Sequence, residues 1–204
     1  MEIKDNDVYY IDAREGFKFL KSNSVDLILT DPVYNYEGLI TYKILSDNAR
    51  RVLKSSGVMI AEVGRGFFLP HIFPLLDSSG LFFNGILLHF LDSKRFFNKQ
   101  GLKDSFFLSL LYFKNRDYIF DYDLVYSVKG KSSLNKNFYH WQKDIDMYEY
   151  YIKCFTNEGD LVLDPFCGSG SVLLACKRLN RRYIGFDFNK DAFLITKSRL
   201  SQHL

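Results

Sequence analysis

Apolar and polar residues follow two periods along the chain, and together they predict strands and helices in alternation. Short apolar runs predict strands at residues 7–11, 25–30, 58–63, 84–91, 105–113, 160–163 and 183–186. Apolar positions spaced three and four apart predict helices at residues 13–20, 42–53, 67–78, 145–155, 170–180 and 191–200. Alternation of this kind favours an α/β fold, with a mostly parallel central sheet and helices on both faces.

The pattern fades over residues 114–143, which contain the stretch YSVKGKSSLNKNFYHWQK. Lysines interleaved with aromatic residues predict a surface loop with positive charge there. At 204 residues and 47% hydrophobic composition, the chain is long enough for one α/β domain with a buried core and short for two. We therefore expect a single domain over residues 1–204.

Composition narrows the class of protein only slightly. A formal charge of +3 permits a polyanionic partner without requiring one. The three cysteines form no CxxC pair, so neither a disulfide framework nor a metal site is indicated, and a reducing cytoplasm is expected. No apolar run approaches the roughly 20 residues of a membrane span.

A glycine-rich turn carries the strongest chemical signal. A predicted strand ends at Asp164-Pro165, the loop FCGSG follows, and a helix begins at once. Gly168 and Gly170 allow a tight turn and close approach of a ligand to the backbone. The next strand ends at Asp187, where a carboxylate can hold both hydroxyls of a ribose. Since neither GxGxxG nor a Walker lysine is present, a nucleotide-like ligand without a polyphosphate is predicted.

A second motif lies far upstream, in the stretch ILTDPVYN at residues 28–35. There a buried strand is predicted to end by presenting the Asp31 carboxylate, the rigid Pro32 and the aromatic ring of Tyr34.

With both motifs in this order, the sequence resembles the permuted (beta-class) amino-group DNA methyltransferases, which use S-adenosylmethionine. TDPVYN is similar to the family's catalytic TDPPYN, and DPFCGSG to its cofactor loop DPFxGSG. Three further segments match in order: YYIDAREGFKFLKSNSVDLILTDP, ARRVLKSSGVMIAEVG and HWQKDIDMYEYYIKCFTNEGD. The resemblance covers both ends of the chain and leaves about residues 64–138 poorly matched.

The resemblance implies a Rossmann-like S-adenosylmethionine-dependent methyltransferase fold and transfer of a methyl group to the N6 amino group of adenine in DNA. The Asp31 carboxylate and the Pro32 carbonyl would accept hydrogen bonds from that amino group, and Tyr34 would stack on the extruded base. A base in a duplex must first be flipped out. No covalent intermediate is required, so the cysteines are expected to carry no chemistry.

The resemblance also assigns cofactor contacts. Asp187 would bind the ribose, Asp12 the adenine amino group, and Phe166 the edge of the adenine or of the methionine. Gly168 and Gly170 would give backbone contact, while Asp164 and the Gln142-Lys143 pair would lie near the methionine end. For Asp12 and Gln142, a helix cap or an ordinary solvated polar residue is an equal alternative.

The DNA surface is expected to be small. Residues 114–143 are the available target-recognition region, and the side chains expected to contact phosphates are Arg95, Lys99, Lys129, Lys131 and Lys136. Relaxed recognition, a homodimer partner or a separate recognition subunit are open alternatives.

The sequence departs from the family pattern at two positions, and several other functions stay open. Val33 replaces the second proline of the catalytic motif, and Trp141 stands where the family has Pro-Thr. The alternatives are methylation of the N4 amino group of cytosine or of an RNA base, methylation of a protein glutamine amide, and a catalytically silent cofactor-binding subunit of a DNA-binding complex.

Overall fold

The predicted elements assemble into one mixed sheet flanked by helices. The computed structural model describes residues 2–33, 35–64, 68–91, 96–97, 103–104, 106–117, 127–130 and 145–202. The strands are β1 (Asp7–Tyr10), β2 (Val25–Thr30), β3 (Leu53–Gly64), β4 (Phe82–Leu91), β5 (Phe96–Phe97), β6 (Lys103–Asp104), β7 (Phe106–Phe113), β8 (Ser127–Gly130), β9 (Leu161–Asp164) and β10 (Arg182–Asp187). The helices are α1 (Ala13–Phe19), α2 (Leu39–Val52), α3 (Leu69–Asp77), α4 (Ile145–Phe155), α5 (Ser171–Arg178) and α6 (Lys190–Ser201).

Eight of the strands form the main sheet, in the order β1-β10-β9-β2-β3-β7-β4-β8. The first five strands in this order are parallel to one another. β7 runs antiparallel to both of its neighbours, β3 and β4, and β8 is parallel to β4. The mostly parallel sheet expected from the sequence is therefore confirmed.

Side chains of the central strands alternate between two buried clusters, one on each face of the sheet. In β2, Ile28 packs into the cluster that contains residues of α1, α2 and α3. Its neighbours Leu27 and Leu29 point the other way, into the cluster that contains residues of α4 and α5. Because both faces are covered, these strands read in the sequence as continuous apolar runs rather than as alternating ones.

The chain order reverses between β9 and β2, which are neighbours in the sheet although β9 comes near the end of the described chain. From β2 the chain continues outward to β3, and from β9 it continues the other way to β10. In open α/β sheets, ligands bind outside the carboxyl ends of the strands at such a reversal. The fold thus singles out the ends of β2 and β9.

Some boundaries differ from those predicted. The sequence predicts a surface loop over residues 114–143, but Ser127–Gly130 forms β8, which pairs with the end of β4. A strand of four residues with one β-branched side chain has no apolar period of its own, so the pairing with β4 determines it. α2 also begins three residues before the predicted start at 42, and β3 begins at Leu53, before the break expected at Ser56-Gly57. In the part of the chain that is described, no helix is both long and apolar enough to cross a membrane.

Candidate active site

Acidic side chains line one edge of the parallel half of the sheet. Each of the five parallel strands, in sheet order, carries a carboxylate at or within two residues of its carboxyl end: Asp12, Asp187, Asp164, Asp31 and Glu62. Asp164 is only 3% exposed and Glu62 only 1%. Buried carboxylates are rare unless they are paired or functional. This edge is therefore suited to a ligand that carries positive charge.

A buried hydrogen bond joins the two motifs that the sequence singled out. The Thr30 hydroxyl, at the end of β2, donates to Oδ1 of Asp164, at the end of β9, over 2.7 Å. The backbone N–H of Phe166 donates to the same oxygen at 3.2 Å. The bond fixes the strand that leads into Asp31 against the strand that leads into the glycine-rich loop.

Burial raises the pKa of Asp164 to about 7, and the nearby charges of Asp31 and Asp187 act in the same direction. The hydrogen bonds from Thr30 and Phe166 oppose this shift, because they favour the ionised form. Asp164 thus changes its charge near neutral pH, and a cation bound at this edge favours its ionised form.

The glycine-rich loop turns by means of two left-handed residues, Gly168 at φ +50° and Gly170 at φ +77°. A Cβ built on Gly170 would lie 2.5 Å from Cγ2 of Thr196, so the packing of α6 excludes any side chain there. A Cβ on Gly168 would meet nothing within 4 Å, so the backbone there borders open space. The loop therefore offers a bare backbone cradle directly before the N-terminus of α5.

α6 holds this loop from behind. The Thr196 hydroxyl donates to the carbonyl of Gly168 at 2.7 Å. The guanidinium of Arg199 donates to the carbonyl of Ser169 and lies 3.4 Å from Oγ of Ser171. Arg199 is 5% exposed, and burial lowers its pKa. Sequence reasoning missed both residues, and the available signal was a polar pair one turn apart in the last helix.

Asp187 and Asp12 differ in their surroundings. The two carboxylate oxygens of Asp187 accept the backbone N–H groups of Gly168, at 2.8 Å, and Asn189, at 2.7 Å. Burial raises the pKa of Asp187, while these two hydrogen bonds lower it. Asp12 is the N-cap of α1 and also forms an ion pair with Arg14 at 2.7 Å. The hydrogen bond from Arg14 lowers the pKa of Asp12. The Asp12 carboxylate is therefore ionised, and it already binds Arg14.

An exposed aromatic residue, which the sequence analysis did not select, follows Asp187 directly. Phe188 is 70% exposed, at the same edge of the sheet as the glycine-rich loop. Exposure of a large ring beside a polar site is typical of a ligand contact. The signal in the sequence was the second phenylalanine of GFDFN, just past the end of the strand.

The upstream motif is followed by a turn at residues 36–38, before α2. Asp31 is half-buried, Pro32 is buried and Val33 is 61% exposed. The backbone N–H of Gly38 donates to the side-chain oxygen of Asn35 at 2.6 Å and closes the turn before α2. A Cβ on Gly38 would lie 1.8 Å from the carbonyl oxygen of Val33, so only glycine fits.

Beside Asp31, at the end of β3, lies a buried pair that sequence reasoning also missed. The Tyr148 hydroxyl of α4 donates to Oε1 of Glu62 at 2.8 Å, and the Tyr42 hydroxyl donates to the Glu62 backbone carbonyl at 2.7 Å. Burial raises the pKa of Tyr148 well above its usual value, helped by the charges of Glu62 and Asp31. A glutamate inside the apolar run VMIAEVG was the signal for this pair.

Eight of the predicted site residues have side chains outside the described part of the chain. Lys129 belongs to β8, at the register of Phe90, and its side chain is not described. Seven other predicted site residues lie outside the described residues: Tyr34, Arg95, Lys99, Lys131, Lys136, Gln142 and Lys143. Of the predicted site residues, the structure brings together Asp31, Pro32, Asp164, Phe166, Gly168, Gly170, Asp187 and Asp12 along one edge of the sheet.

Two solved structures resemble the chain over nearly its whole length. The complex of M1.HpyAVI with S-adenosylmethionine superposes with a TM-score of 0.77, at 26% identity, and the match covers 96% of this chain and 98% of that one. PvuII DNA methyltransferase, which is cytosine-N4-specific, superposes with a TM-score of 0.85 over 99% of this chain and 88% of that one. Its identity of 17% supports the shared fold alone.

Relatives in sequence belong to type II methyltransferases. M.HpaI of Haemophilus parainfluenzae is 29% identical over 230 residues, which covers 92% of this chain and 72% of that protein. M.BglII of Bacillus subtilis is 26% identical over 241 residues, and the chain spans 66% of its length. The N6/N4 methyltransferase family model, described as DNA methylase, matches residues 25–198. The chain therefore belongs to the family of S-adenosylmethionine-dependent DNA methylases that modify the amino groups of adenine or cytosine.

Proposed function

We propose that this protein transfers a methyl group from S-adenosylmethionine to the N6 amino group of adenine in DNA. The observation that carries the proposal is the 2.7 Å hydrogen bond between Thr30 and Asp164. It holds the carboxyl end of the Asp31 strand beside the end of the strand that leads into the glycine-rich loop. A methyl donor bound at the glycine-rich loop and an acceptor amine held at Asp31 would then be neighbours.

The amine of adenine is a weak nucleophile, because its lone pair is delocalised into the ring. In our proposal, the Asp31 carboxylate and the Pro32 carbonyl accept hydrogen bonds from its two N–H groups and draw the lone pair out of conjugation. The same carboxylate stabilises the positive charge that develops on nitrogen. The buried ring of Pro32 fixes the position of its carbonyl, and Tyr34 would stack on the base.

The charges at the cofactor edge and the open space beside the glycine-rich loop support S-adenosylmethionine as the ligand. Open space at Gly168 would receive the ligand against bare backbone, and the carboxylates beside it match a molecule with two cationic groups. Each oxygen of Asp187 has a second lone pair that would accept from a ribose hydroxyl. The exposed ring of Phe188 would cover the adenine ring. When bound, the cofactor would supply a methyl group on a sulfonium. The carbon–sulfur bond would break, with its electrons left on sulfur, as the carbon–nitrogen bond forms, and the methylated nitrogen would release one proton to solvent.

Adenine is preferred over cytosine in this proposal because the motif begins with Asp-Pro and not with the Ser-Pro associated with cytosine. DNA is the substrate class expected from the family, and backbone contacts are assigned to Arg95, Lys99, Lys129, Lys131 and Lys136. Sequence recognition would come from the region 114–143, from a dimer partner or from a separate subunit.

The test is transfer of labelled methyl groups to unmethylated genomic DNA, followed by mass spectrometry of the nucleosides. We expect N6-methyladenine from the wild type, and a loss of at least about 100-fold in rate for Asp31→Ala, the scale for removing a group that contacts the transition state. Cofactor binding, measured by calorimetry, should persist in this variant. Asp47→Ala, the same change at an exposed ion pair of α2, is the matched control and should retain activity.

The possible results separate the candidate functions. Detection of N4-methylcytosine would show that cytosine and not adenine is the target, and the proposed chemistry would stay the same. Activity that survives Asp31→Ala would contradict the assignment of the catalytic carboxylate. Cofactor binding without transfer to DNA or RNA would reject the stand-alone enzyme in favour of a silent subunit.

A further inference from the structure

Three aromatic rings form a cluster at the carboxyl edge of the sheet, outside the contacts assigned above. The ring of Tyr36 packs edge-on against Phe68, with centroids 5.2 Å apart and planes at 84°. Its centroid is also 5.6 Å from that of His71. The cluster joins the turn after β2 to the start of α3, so two separate segments hold Tyr36 in place.

Although two rings contact Tyr36, most of its side chain is exposed to solvent. It is 66% exposed, and so are two apolar neighbours in the chain, Val33 at 61% and Ile40 at 54%. Core packing does not account for an aromatic ring with most of its surface in solvent. An exposed aromatic ring that two other rings hold beside a polar site is typical of a surface that binds a partner.

Sheet order places this cluster on the side where the substrate must approach. The glycine-rich loop and Asp187 follow β9 and β10, on one side of β2. The aromatic cluster follows β2 and β3, on the other side, and Tyr36 lies five residues after Asp31 in the chain. The cluster thus continues the surface at which the target amine would be held.

We propose that Tyr36, held by Phe68 and His71, is a stacking surface for a nucleobase of the DNA strand next to the methylated base. The inference rests on the proposed function for its choice of DNA. The exposed carboxylate of Glu37, next to Tyr36, repels phosphate, so the face of a base and not the backbone meets the ring. A stacked neighbouring base would fix the strand on either side of the extruded nucleotide.

The test compares DNA binding by full-length variants, with S-adenosylhomocysteine present to fill the cofactor site. The probe is a short single-stranded oligonucleotide that contains one 2-aminopurine, whose fluorescence falls on stacking. We expect Tyr36→Ala to weaken binding roughly 5- to 100-fold, the range for loss of one base–aromatic stack, and to reduce the quenching. Tyr36→Trp should preserve both, and Phe68→Leu should give an intermediate loss because the ring is less firmly held.

Salt dependence provides the readout that separates stacking from charge. Loss of a phosphate contact lowers the slope of log affinity against log salt concentration, whereas loss of a stack leaves it unchanged. Tyr36→Ala should keep the slope of the wild type. The matched control is Phe19→Ala, which removes a 42% exposed ring at the opposite edge of the sheet and should leave DNA binding unchanged.

The inference fails if Tyr36→Ala binds the probe as tightly as the wild type, or if the wild type does not bind it at all. The methyl-transfer assay distinguishes this from failure of the proposed function. If the wild type transfers methyl groups and Tyr36→Ala binds DNA as tightly as the wild type, the stacking surface is rejected and the proposed function is kept. If DNA binding depends on Tyr36 but the wild type transfers no methyl group, the proposed enzymatic function is rejected and the stacking surface is kept.

Discussion

Gly168 and Gly170 lie two residues apart in one loop, yet a methyl group added to each would meet different surroundings. At Gly170 the added carbon would collide with Thr196, while at Gly168 it would enter open space. One glycine is thus required by the packing of α6 and the other by the backbone conformation and by whatever ligand occupies that space. Within one motif, Gly170 is therefore required for the packing of the fold and Gly168 for the ligand site.

Alanine substitutions separate the two roles. Gly170→Ala should lower the free energy of unfolding by about 2 to 4 kcal/mol, because overpacking adds to the cost of a left-handed backbone. Gly168→Ala carries only the backbone cost, roughly 1 to 2 kcal/mol, but should weaken binding of S-adenosylmethionine at least about tenfold by filling the cradle. Urea denaturation and calorimetry measure the two effects. Equal losses of stability in both variants would contradict this division.

Single residues of the site could be predicted from the sequence where a motif fixes their backbone position. The glycines and Asp187 belong to a strand–turn–helix whose geometry follows from local sequence. Thr196 and Arg199 were missed, because their contacts with the loop arise only when α6 packs behind it, about 30 residues further along the chain. Glu62 was missed for the same reason, since its partner Tyr148 lies on a distant helix.

At the level of elements, α4 is tied to β3 by the hydrogen bond between Tyr148 and Glu62. Tyr148→Phe should lower the free energy of unfolding by about 1.5 to 3 kcal/mol, the usual contribution of a hydrogen bond to a charged group. Tyr151→Phe is the control one turn along, because the Tyr151 hydroxyl is buried without a hydrogen-bond partner among the described residues. That change should be neutral or slightly stabilising. If both variants lose the same stability in urea, the Glu62 bond is not what ties the helix.

Elements with a strong period of their own were predicted with the correct bounds, as β2 and α4 show. The strand β8 was missed because its formation depends on the edge of β4 and not on its own sequence. The extension of β3 to Leu53 was missed because the register with β2 shifts between Val25 and Leu27, which keeps the strand paired across Ser56-Gly57. Long-range strand pairing therefore determines the position of β8 and the start of β3, which the local sequence pattern does not predict.

For the whole molecule, the pKa of about 7 at Asp164 links stability to pH. An unfolded aspartate ionises near 4, so folded Asp164 binds more protons between pH 4 and 7, and its contribution to stability falls as the pH rises through this window. At about 1.4 kcal/mol per pKa unit, the fall is on the order of 4 kcal/mol. Thermal denaturation across this range should show it, and Asp164→Asn should flatten it.

Cofactor binding should show the opposite dependence. A cation favours ionised Asp164, so the affinity for S-adenosylmethionine should rise as the pH increases through 7, and the rise should shrink in Asp164→Asn. Calorimetry at several pH values measures this. An affinity independent of pH would show that the bound cation does not interact with Asp164.

The reversal of strand order also constrains when the protein can fold during its synthesis. β9 and β10 fill the space between β1 and β2 in the sheet, although they leave the ribosome more than 100 residues later. Until they emerge, β1 and β2 cannot belong to the same sheet, and Thr30 lacks the partner that lies 134 residues downstream. The bond between β2 and β9 is thus completed only late in synthesis, and a nascent chain that stops before β9 has no site to occupy.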